Sequence, residues 1–185
     1  MNATKAQAVL LLAAAAACVY VQTVFPWGRR LTGVQPDLLP LVMVYAALLG
    51  DAGLVACLAV TGGLMFDSLS MNPLGTSVLS LLVVGLGVHS LRDVLMREAL
   101  HAKCLLGALA STASALTGLI ALMMSGQRPV LGWDLARAVA GQGMWGAVLA
   151  PAVFWLLGRL DRAFNHPRIS PGSFRPDREI KRGRN

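Results

Sequence analysis

The apolar positions of this chain fall in long unbroken runs rather than at alternating positions, and most runs approach the length needed to cross a bilayer. A hydrocarbon core about 30 Å thick takes roughly 20 apolar residues in a helix. The first run extends from Ala6 to Phe25 and stops at Pro26-Trp27-Gly28-Arg29-Arg30, where proline ends the helix and tryptophan suits the interface. The second is purely apolar only from Leu38 to Leu49, too short to cross alone, so it needs Leu31 to Asp37 as well and predicts a short or tilted helix. Pro36 fits a first helical turn, where its missing N–H costs nothing, and Asp37 beside it is favoured by the positive end of the helix dipole.

After the turn Gly50-Asp51-Ala52-Gly53, a third span is predicted from Ala52 to Leu69, with Gly62-Gly63 allowing close helix contact and Asp67 near its far end. Asn72-Pro73 reads as an N-cap followed by proline at the first helical position, so a fourth span starts there and continues to Ser90. From Leu91 to Lys103 the pattern changes. Leu91, Leu95, Met96, Ala99 and Leu100 repeat at helical spacing while Arg92, Asp93, Arg97, Glu98 and Lys103 fill the other face, which predicts an amphipathic interfacial helix with an Asp93–Arg97 ion pair. A fifth span, Cys104 to Met124, carries Gly107, Ser111, Ala115 and Gly118 as a smooth face, and a sixth, Asp134 to Gly158, carries Gly141, Gly143 and Gly146.

These runs predict an all-α integral membrane protein, a polytopic bundle of about six transmembrane helices. The 185 residues are 56% hydrophobic and 14% charged, which leaves too few charges for the surface of a soluble domain. The net charge of +7 is concentrated at one end: eight of the sixteen Lys and Arg residues lie after position 158. From Arg159 the chain is polar and rich in Pro and Gly, so a transmembrane domain at 1–160 is expected to be followed by a basic, disordered cytoplasmic tail at 161–185. Such a tail beside a membrane reads as a cytoplasmic flank touching anionic lipid, not as a nucleic-acid surface.

With six spans and the N-terminus inside, the inner segments hold Lys5, Arg92, Arg97, Lys103 and the basic tail, while the outer segments hold Arg29, Arg30, Arg128 and Arg137. Both termini are therefore expected in the cytoplasm, and Asp37 and Asp67 toward the same external leaflet. The start of the chain also resembles a signal peptide, but no small-residue cleavage site separates Val9–Val21 from Pro26-Trp27, so an uncleaved first span is expected.

Candidate chemistry is sparse. A carboxylate within a span is costly unless it faces protein or water, which singles out Asp67 and, beside it in the argument, Asp37. Asp67 could accept hydrogen bonds from the Asn72–Thr76 turn and lock spans three and four, dock a partner, or coordinate an ion or substrate. Hydrolase, metalloprotease and phosphate-loop signatures are missing from the sequence. His89, His101 and His166 are too scattered to ligate a metal, and Cys18, Cys57 and Cys104 read as small core residues. Trp27, Trp133 and Trp155 fall near predicted membrane borders as interface anchors. No enzyme activity, metal or cofactor is expected.

The run Pro36-Asp37-Leu38-Leu39 before an aliphatic span, the segment Gly63-Leu64-Met65-Phe66-Asp67 and the following Asn72-Pro73-Leu74-Gly75 together resemble the MreD family of bacterial rod shape-determining membrane proteins, over about residues 6 to 160. The resemblance implies a six-helix inner-membrane fold similar to the substrate-binding subunits of energy-coupling-factor transporters. It also implies a non-enzymatic role in lateral wall elongation beside the bitopic protein MreC and, indirectly, the MreB filament, a RodA-like glycosyltransferase and a class B penicillin-binding protein. The residues carried over are Pro36, Asp37, Gly63, Asp67, Pro73, Leu74 and Gly75, as partner-binding or structural positions. A small-molecule binding or transport subunit is the competing class, since one bundle can serve either function.

Overall fold

The computed structural model describes residues 3–25, 27–70, 73–95, 100–126 and 132–165. Among these residues seven helices follow one another: α1 (Ala3–Val24), α2 (Trp27–Thr32), α3 (Leu39–Leu49), α4 (Ala52–Leu69), α5 (Thr76–Leu95), α6 (Leu100–Met124) and α7 (Trp133–Asn165). There is no strand among the described residues. Four stretches are long and apolar enough to cross a membrane, one beginning in α1 and running on to Arg30 and the others in α4, α6 and α7, and α3 and α5 supply two shorter apolar stretches. The fold is an all-α polytopic membrane bundle.

The bundle is built around its shortest apolar helix. In α3 every residue from Leu39 to Ala47 is buried, and the helix touches α1, α4, α5, α6 and α7. A helix that is apolar all round has no face to give to solvent, so it takes the centre. Its 11 residues span only about 16 Å, half of the hydrocarbon thickness. The non-helical segment 33–38 leads into α3, exposed at Gly33 and half-buried from Val34 to Leu38.

This corrects the expected position of Pro36. The helix begins at Leu39 with Pro40 in its first turn, whereas Pro36 lies before it in the non-helical segment, against Gly28 of α2. The residue before a proline is biased away from helix, so Leu39 can stand only at the very start. Two more boundaries move. The helix after Asp67 begins at Thr76, not at Asn72-Pro73, because Gly75 takes a φ of +99° and closes a turn first; Asn72 lies outside the described residues. The separate interfacial helix expected at Leu91–Lys103 is divided, with Leu91–Leu95 ending α5 and Leu100–Lys103 opening α6. The Asp93–Arg97 pair falls outside the described residues. At the C-terminal end α7 continues past Leu160 to Asn165, with Arg162 Nε donating to the Gly158 carbonyl at 3.0 Å; the remainder of the tail lies outside the described residues.

Small residues set the closest helix contacts. A Cβ on Gly63 of α4 would stand 2.7 Å from the Val78 backbone of α5, and one on Gly107 of α6 would stand 2.6 Å from the Gly146 carbonyl of α7. Glycine at such crossings lets backbones approach where any side chain would hold them apart.

Candidate functional site

The two carboxylates singled out from the sequence lie at the same end of the bundle, on either side of the start of α5. Asp67, 3% exposed near the end of α4, accepts the Gly75 N–H on Oδ2 at 2.7 Å. The Ser77 N–H reaches both of its oxygens, at 3.3 Å and 3.2 Å. These are N–H groups that the first turn of a helix leaves without intrahelical partners. Asp67 thus caps α5 from a neighbouring helix, and its negative charge lies against the positive end of the α5 dipole. Thr76 bonds back to the Pro73 carbonyl through both its N–H and its hydroxyl. The turn is held from inside and out, and at its tip Leu74 stands 71% exposed.

Asp37 occupies the start of α3. Its Oδ1 accepts the Leu39 N–H at 3.1 Å and the Gln22 side-chain amide of α1 at 3.3 Å. Gln35 donates to the Gln22 carbonyl at 2.9 Å, so α1 and the non-helical segment are fastened by two amide side chains. Val34 of that segment packs on Gly141 of α7, and the indole N–H of Trp145 donates to the Thr32 hydroxyl at 2.9 Å.

On its open side Asp37 lines a cavity of about 270 Å³ with Ser77 and Ser80 of α5, Ser114 and Gly118 of α6, and Gln142 of α7. Ser77 therefore joins the two carboxylates: its N–H bonds Asp67 while its residue lines the cavity of Asp37. At the far end of α3 the carbonyls are met by α5, where His89 Nδ1 lies 3.2 Å from the Ala47 oxygen and Arg92 donates to the Gly50 oxygen at 3.3 Å.

Of the seven residues taken from the sequence, Asp67, Pro73, Leu74 and Gly75 form the α4–α5 turn, with Gly63 tightening the same pair of helices against Val78. Pro36 and Asp37 belong to the start of α3. Sequence reasoning passed over Gln22 and Gln142, although lone amides inside apolar spans carry a burial cost that marks them. It passed over Ser77, Ser80 and Ser114 for a better reason: serine in a membrane helix ordinarily bonds its own backbone. His89 is tied to the end of α3.

The bundle and the turn capped by Asp67 define a polytopic helical membrane protein in which the acidic side chains near the site hold helix ends. Residues 3–159 match the family model described as rod shape-determining protein MreD. The chain belongs to the MreD family of rod shape-determining membrane proteins. No curated protein and no solved structure matches it significantly.

Proposed function

We propose that this chain is a non-enzymatic component of the rod-shape complex in the bacterial inner membrane, scaffolding an MreC-like bitopic protein and through it lateral peptidoglycan synthesis. The observation that carries the reading is the family match over residues 3–159. The MreB filament, a RodA-like glycosyltransferase and a class B penicillin-binding protein are indirect partners. Both termini face the cytoplasm, a reading supported by the bias of positive charge toward the segments at that side.

The α4–α5 turn is the best candidate for a docking corner. Asp67 fixes its shape while Leu74 projects from it, so little side-chain or loop ordering remains to be lost when a partner binds. The small-residue faces of α4, α6 and α7 are largely used within the bundle, Gly63 by Val78 and Gly107 by Gly146. Gly87 on α5 has open space around it, between the exposed Val83 and Leu91, and offers a close approach for a single membrane helix.

The test is affinity purification of the tagged protein from mildly solubilised native membranes, with mass spectrometry against an untagged control. Recovery of an MreC-like protein supports the scaffold; retention of an ATP-hydrolysing transporter subunit in its place would overturn it. Leu74→Ser, which leaves the fold's contacts in place, should weaken that recovery.

A further inference from the structure

The cavity beside Asp37 gathers polar groups that the fold itself does not satisfy. Only Oδ1 of Asp37 is engaged, by Leu39 and Gln22; no hydrogen bond reaches Oδ2 among the described residues. The Ser114 side chain is 7% exposed and lines the cavity, yet its hydroxyl has no partner among the described residues. The Gln142 amide and the Ser77 hydroxyl line the same space, likewise without a partner. Ser80 alone bonds locally, to the Ser77 carbonyl at 3.0 Å. Three helices and the segment before α3 thus bring spare oxygen atoms and one carboxylate to one cavity.

The charge of that space is one-sided. None of its described lining residues is Lys, Arg or His. The N-terminus of α3 contributes only about half a positive charge, so a negative charge is left over. A carboxylate sharing a cavity with three serines and a glutamine, the rest of whose lining is apolar, offers the oxygen ligands that suit a hard cation or an ammonium group. An anion would meet Asp37 and find no basic side chain.

The volume narrows the occupant further. About 270 Å³ holds several waters at roughly 30 Å³ each, so there is room for an alkali-metal ion with part of its water shell or for a small organic ammonium group. Ala115 and Gly118 keep the α6 wall low at this point, and Gly118 has no neighbour within 4 Å of where a Cβ would stand. The same helix is pressed against α7 at Gly107.

We propose that the cavity lined by Asp37, Ser77, Ser114 and Gln142 is a cation site, taking an alkali-metal ion or a primary ammonium group. The site is separate from the turn that carries Leu74, and it does not depend on which partner the bundle scaffolds. Occupancy ties α3 to α5, α6 and α7 and stabilises the folded bundle, since a ligand that binds only the native state raises its melting temperature.

The experiment uses the full chain purified in detergent and held in tetramethylammonium chloride, a cation that can neither donate a hydrogen bond nor be coordinated by oxygen. Thermal unfolding is followed as sodium, potassium or ethanolammonium chloride replaces it at constant ionic strength. At least one of these raises the melting temperature saturably, by about 3 °C or more. A response to sodium or potassium assigns a metal ion, and a response to ethanolammonium alone assigns an ammonium group. Asp37→Asn keeps an acceptor for the Leu39 N–H and abolishes the response, whereas Asp134→Asn, exposed and outside the cavity, retains it. Should Asp37→Asn fail to fold, Ser114→Leu fills the cavity without touching the carboxylate and also abolishes the response. No difference between any of these cations and tetramethylammonium in the wild-type chain overturns the proposal. So does a full response in Ser114→Leu. Partner recovery from membranes is read separately, so failure of the scaffold reading and failure of the cation site are distinguishable.

Discussion

Asp67 accepts the backbone N–H of Ser77 across the α4–α5 turn, at 3.3 Å on one oxygen and 3.2 Å on the other. A carboxylate ten positions earlier in the chain thereby does the work that an N-cap side chain does for most helices. The residues between them, through Pro73 and Gly75, are shaped by that bond rather than by helix propensity.

Asp67→Leu should insert normally, because leucine suits a span, but should lower the stability of the bundle by about 2–4 kcal/mol. Two helix-end N–H groups lose a charged acceptor in a buried setting, and each carries its desolvation cost. Asp67→Asn keeps one oxygen acceptor and should lose less. Thermal unfolding in detergent checks both, and an unchanged melting temperature in Asp67→Leu would show that the turn is held by packing alone.

Gly75→Ala tests the turn from its backbone. Gly75 has a φ of +99°, a region that side chains rarely adopt, so alanine there should cost about 1–2 kcal/mol although nothing lies within 4 Å of its Cβ position. Its loss therefore reports conformation and not collision. Combined with Asp67→Leu, the effects should be less than additive, because both changes release the same turn.

Gly63→Ala tests collision without conformation. Its Cβ would stand 2.7 Å from the Val78 Cα and N, and backbone cannot swing aside as a side-chain tip can, so α4 and α5 must separate. The expected cost is about 1–3 kcal/mol. Gly87→Ala on the open face of α5 has no neighbour within 4 Å and should be neutral in melting experiments, so any loss it causes in partner recovery reports an external contact.

Much of this architecture was legible from run length. The third span appeared as Ala52–Leu69, the same bounds as α4, because Asp51 caps its start and Ser70 falls just past its end. The apolar run at Leu38–Leu49 showed a span too short to cross alone, but the Leu31–Asp37 stretch expected to lengthen its helix is helical only to Thr32, and 33–38 is not helical. What run length could not show is which short apolar segment lies at the centre, since hydropathy is the same whether lipid or protein covers a leucine. The position of Pro36 misled because a proline and an acidic neighbour suit a helix start wherever one occurs, and Pro40 competed for the same role. The cavity was hidden for a related reason: Asp37 comes from the segment before α3 and Ser77, Ser114 and Gln142 from three separate helices, and no spacing within one helix relates them.

The α6–α7 pair yields the sharpest contrast, because one helix face does two jobs along its length. At its lower turns Gly107 and Ser111 press against Gly146, where a Cβ would meet the Gly107 carbonyl at 2.5 Å and the Ser111 hydroxyl. Two turns later Gly118 faces open space. Gly146→Ala should therefore force the helices apart and cost about 1–3 kcal/mol. Gly118→Ala should be neutral or stabilising by up to about 1 kcal/mol, through better helix propensity at a position with room for the methyl group. Melting temperatures of the two variants, measured side by side, separate the cases. Equal losses would mean that α6 and α7 stay in contact along their whole length and that the space beside Asp37 closes.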